Sequence, residues 1–309
     1  MKHLITGGCG FLGSNLISHL IRRGNQIICL DNLSSGSFSN IKNWINNDRF
    51  IFLKKNVIEF IDLEVDYIWH LASPASPLNY MEDPVQTSKI CFNGTLNMLE
   101  LAKKYNAKML FTSSSEVYGD PKITPQNENY NGNVNIKSRR SCYAEGKRIA
   151  ESLCYDYQRK FNIDIKVARI FNCYGPGMLP SDKRVISSFI MNAINNKELK
   201  IFGNGEITRT FCYVEDLING LLKLMESNLT CPVNLGSKEE ITITNLARLI
   251  IKLTNKESEI IYLNEITDDP KCRKPEIEIA KKELNWSPKI ELVDGINRTI
   301  SYFKELSIV

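Results

Sequence analysis

His3-Leu4-Ile5-Thr6-Gly7-Gly8-Cys9-Gly10-Phe11-Leu12-Gly13 is the stretch that decides the fold. Its first residues read as a short buried strand, and a glycine-rich turn follows at once. Beyond the turn Leu12, Leu16 and Leu20, with Ile17 and Ile21, recur at helical spacing, and Gly24 stands where a C-terminal cap belongs. A second apolar run, residues 26–30, ends on Asp31, 18 residues after Gly13. Each part suits a dinucleotide. Glycines permit a tight turn and close approach to a pyrophosphate, which sits on the positive end of the helix. An acid at that distance meets the adenosine ribose hydroxyls. Asp31 would repel a 2′-phosphate, so the expected cofactor is NAD rather than NADP.

The alternation continues. Residues 49–53 and 67–71 read as strands. Asp83-Pro84-Val85-Gln86 reads as a helix start, with Asp83 as cap, Pro84 in the first turn and Gln86 closing a capping box. That helix is expected to reach Tyr105, and residues 108–112 form the next strand. Strands alternating with helices predict an α/β fold of the Rossmann type, a doubly wound parallel sheet with ligands beyond the carboxyl ends of its strands. Thr112-Ser113-Ser114-Ser115-Glu116-Val117-Tyr118-Gly119 follows a strand on that side. Its hydroxyls can hold a sugar alcohol and Glu116 is a candidate acid or base; the plainer alternative is a serine-rich turn with a solvated glutamate.

Ser141-Cys142-Tyr143-Ala144-Glu145-Gly146-Lys147 then heads a helical segment. Tyr143 and Lys147 are four residues apart and share a helix face. A cation within a few ångströms lowers a phenol pKa by roughly 1–3 units, which would make Tyr143 a general base near neutrality. A surface Tyr and Lys on one face is the alternative. After the strand at 165–170 the segments become shorter and more mixed. Residues 1–170 are therefore expected to form the cofactor-binding domain. Residues 171–309 should form mainly a smaller, mixed α/β substrate-binding part, with some segments returning to the first. Arg184, Arg209 and Arg273 stand out there because diphosphates and carboxylates favour guanidinium partners. Surface ion pairs would explain any one of them.

Composition narrows the classes. Of 309 residues, 43% are hydrophobic and 24% charged, and the net charge of +4 comes without a basic stripe, which argues against a nucleic-acid partner. Nine cysteines include no Cys-x-x-Cys pair, and three histidines are too dispersed for a metal cluster, so neither a disulfide framework nor a metal is expected. With no signal peptide legible ahead of the first strand and no apolar run of membrane-spanning length, a reduced, cytoplasmic protein is the expectation.

These residues resemble the extended short-chain dehydrogenases/reductases that modify nucleotide sugars, and within them the branch that decarboxylates a UDP-linked uronic acid. The resemblance runs essentially end to end. It is carried by Leu71-Ala72-Ser73-Pro74-Ala75-Ser76-Pro77 with Asn79-Tyr80-Met81, the Ser-Glu-Val-Tyr-Gly-Asp-Pro run at 115–121, and Gly132-Asn133-Val134-Asn135. Residues 141–151, Ala168-Arg169-Ile170-Phe171-Asn172, Val233-Asn234-Leu235-Gly236, and Asp268-Asp269-Pro270 with Arg273-Lys274-Pro275 continue it.

The resemblance implies that Tyr143 takes the proton of the sugar C4 hydroxyl and that Ser114 bonds the same oxygen. Lys147 would hold the nicotinamide ribose and lower the Tyr143 pKa. Ser115, Glu116 and Arg273 would surround the carboxylate and the C5 protonation. Tyr80, Asn172, Arg184 and Arg209 would bind the nucleotide sugar. Gly7, Gly10, Phe11, Leu12, Gly13, Asp31, Asn32, Asn56, Val57, Leu71 and Ala72 would line the NAD site. Related 4,6-dehydratases carry an Asp-Glu pair where this chain has Ser115-Glu116, and simple 4-epimerases usually lack the glutamate. Other outcomes of C4 oxidation remain alternatives: a 4-dehydrogenase, 4-epimerase or 4,6-dehydratase on another nucleotide sugar. A catalytically dead NAD-binding regulator is the remote one. A homodimer through a four-helix contact, from helices at 83–105 and 143–160, is also implied. Departures from the family pattern are Cys91 in place of an asparagine, Asn56 and Ala144 in place of aspartates, Gly177 in place of an arginine, and the missing Pro and Gly residues at 136–140.

Overall fold

In the computed structural model the described residues are 1–265, 270 and 272–308; Asp268 and Asp269 of the family-like string lie outside them. Seven parallel strands form the main sheet: β1 (Lys2–Thr6), β2 (Gln26–Asp31), β3 (Phe50–Lys54), β4 (Tyr67–His70), β5 (Lys108–Ser114), β6 (Ile165–Ile170) and β7 (Pro232–Leu235). Their spatial order is β7-β6-β5-β4-β1-β2-β3. The order reverses at β1, flanked by β2 and β4. In a doubly wound sheet the crevice at such a reversal is where a dinucleotide lies.

The strands are near-continuous apolar runs because helices cover both faces. Leu4, Ile5, Ile27, Leu30, Ile68, Met109 and Leu110 are buried, each such side chain contributing about 1.5–3 kcal/mol when fully removed from water. Helix α1 (Phe11–Arg22) turns Leu16, Ile17, Leu20 and Ile21 inward, as the spacing predicts. Gly24, at φ +83°, ends it. One apolar core extends from Ile5 and Leu16 through Leu217 and Leu246 to Phe303, so the C-terminal part shares its interior with the sheet. Strand β7 itself comes from that part and pairs with β6.

The helix expected over 83–105 is interrupted. Asp83 caps Pro84–Lys89 by accepting the Gln86 N–H at 2.9 Å, but no return bond from the Gln86 side chain is formed among the described residues. A π-turn, Ile90–Gly94, then precedes Thr95–Tyr105. Wide turns of this kind are frequent at functional sites, and this one carries Cys91.

Candidate active site

The sequence-predicted residues gather at the carboxyl ends of the strands. Gly7, Gly10, Phe11, Leu12 and Gly13 make the β1–α1 turn. A Cβ on Gly13 would stand 2.3 Å from the Gly7 carbonyl oxygen, so only glycine lets helix and turn approach this closely. Gly10 caps α1 without a side-chain bond, which leaves the first backbone N–H groups of the helix to an anion. Asp31, at the end of β2, accepts from the Cys9 N–H at 2.9 Å and from the Leu33 N–H at 2.8 Å. The second bond holds Leu33 in a left-handed conformation, φ +63°. Burial pushes the Asp31 pKa up, and these N–H groups oppose the shift. A glycine cradle, an uncapped helix start and a placed acid fit NAD. Leu71 and Ala72 flank Gly7. Val57 packs against Gly94, while the Asn32 and Asn56 side chains close their own local turns onto Ser34 and Ile58.

Tyr143 and Lys147 lie buried on the inner face of the helix Ser141–Phe161. The lysine ammonium donates to the Thr112 carbonyl at 2.9 Å and stands 5.6 Å from the centre of the Tyr143 ring. One expectation is corrected here. The Tyr143 pKa is pushed up, first by burial and then by nearby Cys91, with Ser114 opposing through a hydrogen bond. Lys147 lacks the leverage to reverse this because its ammonium faces a backbone carbonyl and its own pKa is lowered by burial.

Beside it, the 3-10 turn Ser115–Tyr118 continues from β5, with the Ser114 hydroxyl accepting the Glu116 N–H at 3.2 Å. Glu116 is not the solvated glutamate of the plainer alternative. It is 7% exposed, with Oε1 2.6 Å from Arg140 and Oε2 2.7 Å from Arg273. Burial works against its ionisation, but the two guanidiniums prevail and hold its pKa at about 2. Arg273 also donates to the Ser115 hydroxyl at 3.3 Å. Tyr80, fully buried, stacks on Tyr143. Thus Tyr80, Ser114, Ser115, Glu116, Tyr143 and Arg273 meet at one place.

The other arginines serve differently. Arg184 pairs with Asp182 at 2.5 Å and lies 5.5 Å from the Phe11 ring at the start of α1. Arg209 donates to the carbonyls of Thr208 and Pro270, at 2.9 and 2.6 Å, and its backbone bridges to Arg273. Asn172 donates to the Thr210 carbonyl at 3.2 Å. Within the described residues no group of His, Cys, Asp and Glu could hold a metal ion.

Residues 3–236 match the NAD dependent epimerase/dehydratase family. The chain belongs to that family. UDP-glucuronic acid decarboxylase 1 of Xenopus tropicalis is 48% identical over 302 residues, 98% of this chain and 72% of that protein. UDP-glucuronic acid decarboxylase 3 of Arabidopsis thaliana is 48% identical over 297 residues, 96% of this chain and 87% of its own length. The solved UDP-glucuronic acid 4-epimerase of Bacillus cereus, in complex with UDP-glucuronic acid and NAD, aligns at TM-score 0.89 and 28% identity, covering 99% of this chain and 100% of that one. Among the described residues no helix is long and apolar enough to cross a membrane.

For a family member, two departures have a physical reading. Gly177 has φ +96°, and a Cβ there would stand 2.8 Å from the Asn15 amide, so this backbone excludes an arginine. Cys91 packs against Gly146, where a Cβ would meet its Sγ at 3.0 Å, and stands 3.6 Å from the Ser73 hydroxyl. Sequence reasoning missed Arg140, although it lies three residues before Tyr143. It also missed the supports of the site. Arg169 pairs with Glu151 at 2.8 Å and donates to the Tyr118 hydroxyl at 3.0 Å, which donates to Asn234 at 2.8 Å. Gln126 accepts the Lys274 N–H at 2.9 Å and so pins the segment that carries Arg273. Pairings between distant segments leave no local pattern to read.

Proposed function

We propose that this protein is an NAD-dependent UDP-glucuronate decarboxylase, converting UDP-glucuronate to UDP-xylose and carbon dioxide through a 4-ketone. The carrying observation is Ser115-Glu116 held against Arg273 beside Tyr143. A guanidinium suits a sugar carboxylate, and Ser115 puts no second negative charge beside it. The family-level names of the relatives support the same substrate.

Gly7, Gly10, Phe11, Leu12, Gly13, Asp31, Asn32, Asn56, Val57, Leu71 and Ala72 would hold NAD, with Lys147 near its nicotinamide ribose. Bound there, NAD supplies a hydride acceptor and later a donor, together with a positively charged ring. Tyr143 accepts the C4 hydroxyl proton while Ser114 bonds the same oxygen. Burial raises the phenol pKa in the protein alone, and a positive charge brought close lowers a phenol pKa, so bound NAD would favour its ionisation. The C4 ketone is β to the C5 carboxylate, so when the bond to carbon dioxide breaks its electron pair delocalises into an enolate. Arg273 orients the carboxylate, and protonation at C5 by a donor held at Ser115 and Glu116 gives the 4-keto pentose; Tyr143 would then return its proton to the C4 oxygen as the ketone is reduced, giving UDP-xylose. Tyr80, Asn172, Arg184 and Arg209 would hold the rest of the nucleotide sugar. Residues 1–170 serve mainly the cofactor and 171–309 mainly the substrate.

Nine free cysteines support a reducing, cytoplasmic setting. Phe92 and Ile149, exposed at 38% and 44% on the two helices expected to pair, support a homodimer. Light scattering that gives a 35.3 kDa species would remove the dimer.

Incubation with UDP-glucuronate and NAD, followed by nucleotide-sugar mass, tests the function. The expected product is a UDP-pentose with release of carbon dioxide. A product of unchanged mass with inverted C4 would make the chain an epimerase instead, and no reaction would direct a screen to other UDP-, GDP- and dTDP-sugars.

A further inference from the structure

Glu116 has two holders, one on each carboxylate oxygen. Arg140 donates a hydrogen bond to Oε1 at 2.6 Å. Arg273 is ion-paired to Oε2 through Nη2 at 2.7 Å, while its buried Nε makes no hydrogen bond among the described residues. Their origins differ too. Arg140 is the residue from which the catalytic helix starts, and its carbonyl accepts the Tyr143 N–H at 3.2 Å. Arg273 comes from the C-terminal part, on an extended segment pinned by Gln126.

We propose that Arg140 is a positioning residue: it stays on Oε1 and keeps Glu116 in place beside Tyr143 while Arg273 exchanges Oε2 for the carboxylate of the substrate. This rests on the decarboxylase reading. A buried donor without a partner is costly, so Arg273 gains from an incoming carboxylate that accepts from Nε as well as from Nη2. Were Arg273 the sole holder, its departure would leave a buried, unpaired carboxylate. A second holder avoids that and couples Glu116 to the start of the Tyr143 helix. The ionisable groups facing Glu116 are Arg140 and Tyr143 from that helix, Arg273 from the C-terminal part, and Tyr80 from the helix Pro77–Glu82. Both arginines favour its charge, so losing one raises its pKa.

The test uses Arg140→Gln and Arg140→Lys in the full-length protein. For Arg140→Gln, kcat for UDP-glucuronate should fall by about 10²-fold, the scale of a misplaced catalytic group, with NAD affinity by calorimetry unchanged. The acidic limb of its kcat/KM profile should move to higher pH, and Arg140→Lys should move it back. Titration of the Glu116 carboxyl by 13C NMR, assigned with Glu116→Gln, should show the same upward shift in Arg140→Gln without turnover. A changed KM with an unmoved limb and an unmoved carboxyl titration overturns the proposal. If the wild type releases no carbon dioxide, the decarboxylase reading falls and the exchange with it, while the NMR titration still decides whether Arg140 holds Glu116.

Discussion

The Tyr80 ring lies flat on that of Tyr143, with centroids 4.8 Å apart and planes within 4°. The stack holds the phenol ring of the proposed base in place. The Tyr80 hydroxyl is buried and makes no hydrogen bond among the described residues. Its pKa is pushed up by burial and by Glu116, so it stays a donor at any ordinary pH.

Tyr80→Phe therefore keeps the stack and removes an unsatisfied donor. Its unfolding free energy should equal or exceed that of the wild type by up to about 1–3 kcal/mol, the usual cost of such a group. The KM for the nucleotide sugar should rise if the hydroxyl meets substrate. Denaturant melts and steady-state kinetics check both, and an unchanged KM would remove Tyr80 from the substrate site.

Tyr143→Phe deletes the proposed base and retains the ring. Turnover should drop by about 10²–10⁴-fold, the range for general acid–base groups, while NAD binding and melting temperature hold. Full activity would assign the base elsewhere.

Gly13→Ala places a methyl group 2.3 Å from the Gly7 carbonyl, a backbone atom with little room to yield. We expect a loss of about 1–3 kcal/mol in stability from overpacking, together with weaker NAD binding because the turn must open. Calorimetric titration with NAD tests the second effect apart from the first.

Acid should weaken the fold in two windows. His70, between the Thr6 and Thr95 hydroxyls at 2.9 and 3.1 Å, has its pKa lowered to about 3 by burial and then by the charge of Lys147. Its folded value lies below the unfolded one, so the stability it confers is complete above about pH 6.5. That contribution falls as pH drops toward 3, by at most about 1.4 kcal/mol per pH unit. Glu116, held at about 2 against its burial by Arg273 and Arg140, adds a loss only below the ordinary glutamate range. Urea unfolding at a series of pH values should show His70→Gln with a flatter dependence between pH 6.5 and 5 than the wild type; an identical slope would refute the assignment.

The turn from β1 into α1 and the Tyr143–Lys147 pair could be read in advance because their partners lie within a few residues of each other. Spacing alone puts them on one turn or one helix face. The π-turn at Cys91 could not be read, since no residue type or spacing in Ile90–Gly94 marks a widened turn, and its close approach to Gly146 joins segments far apart in the chain. The state of Tyr143 was misjudged for a related reason: a neighbouring cation was visible in the sequence, but burial, the larger influence on its pKa, was not.

Sequence by itself determined the parallel sheet, the NAD-binding turn and the residue types at the site, because glycine spacing and apolar periodicity are local consequences of backbone geometry. Only the tertiary structure decided that Glu116 is buried and ionised between Arg140 and Arg273, drawn from the start of a helix and from the C-terminal part. Charge pairing inside a protein depends on distance and on exclusion of water, and neither exists until strands β5 and β6 and the C-terminal part have closed around the carboxylate.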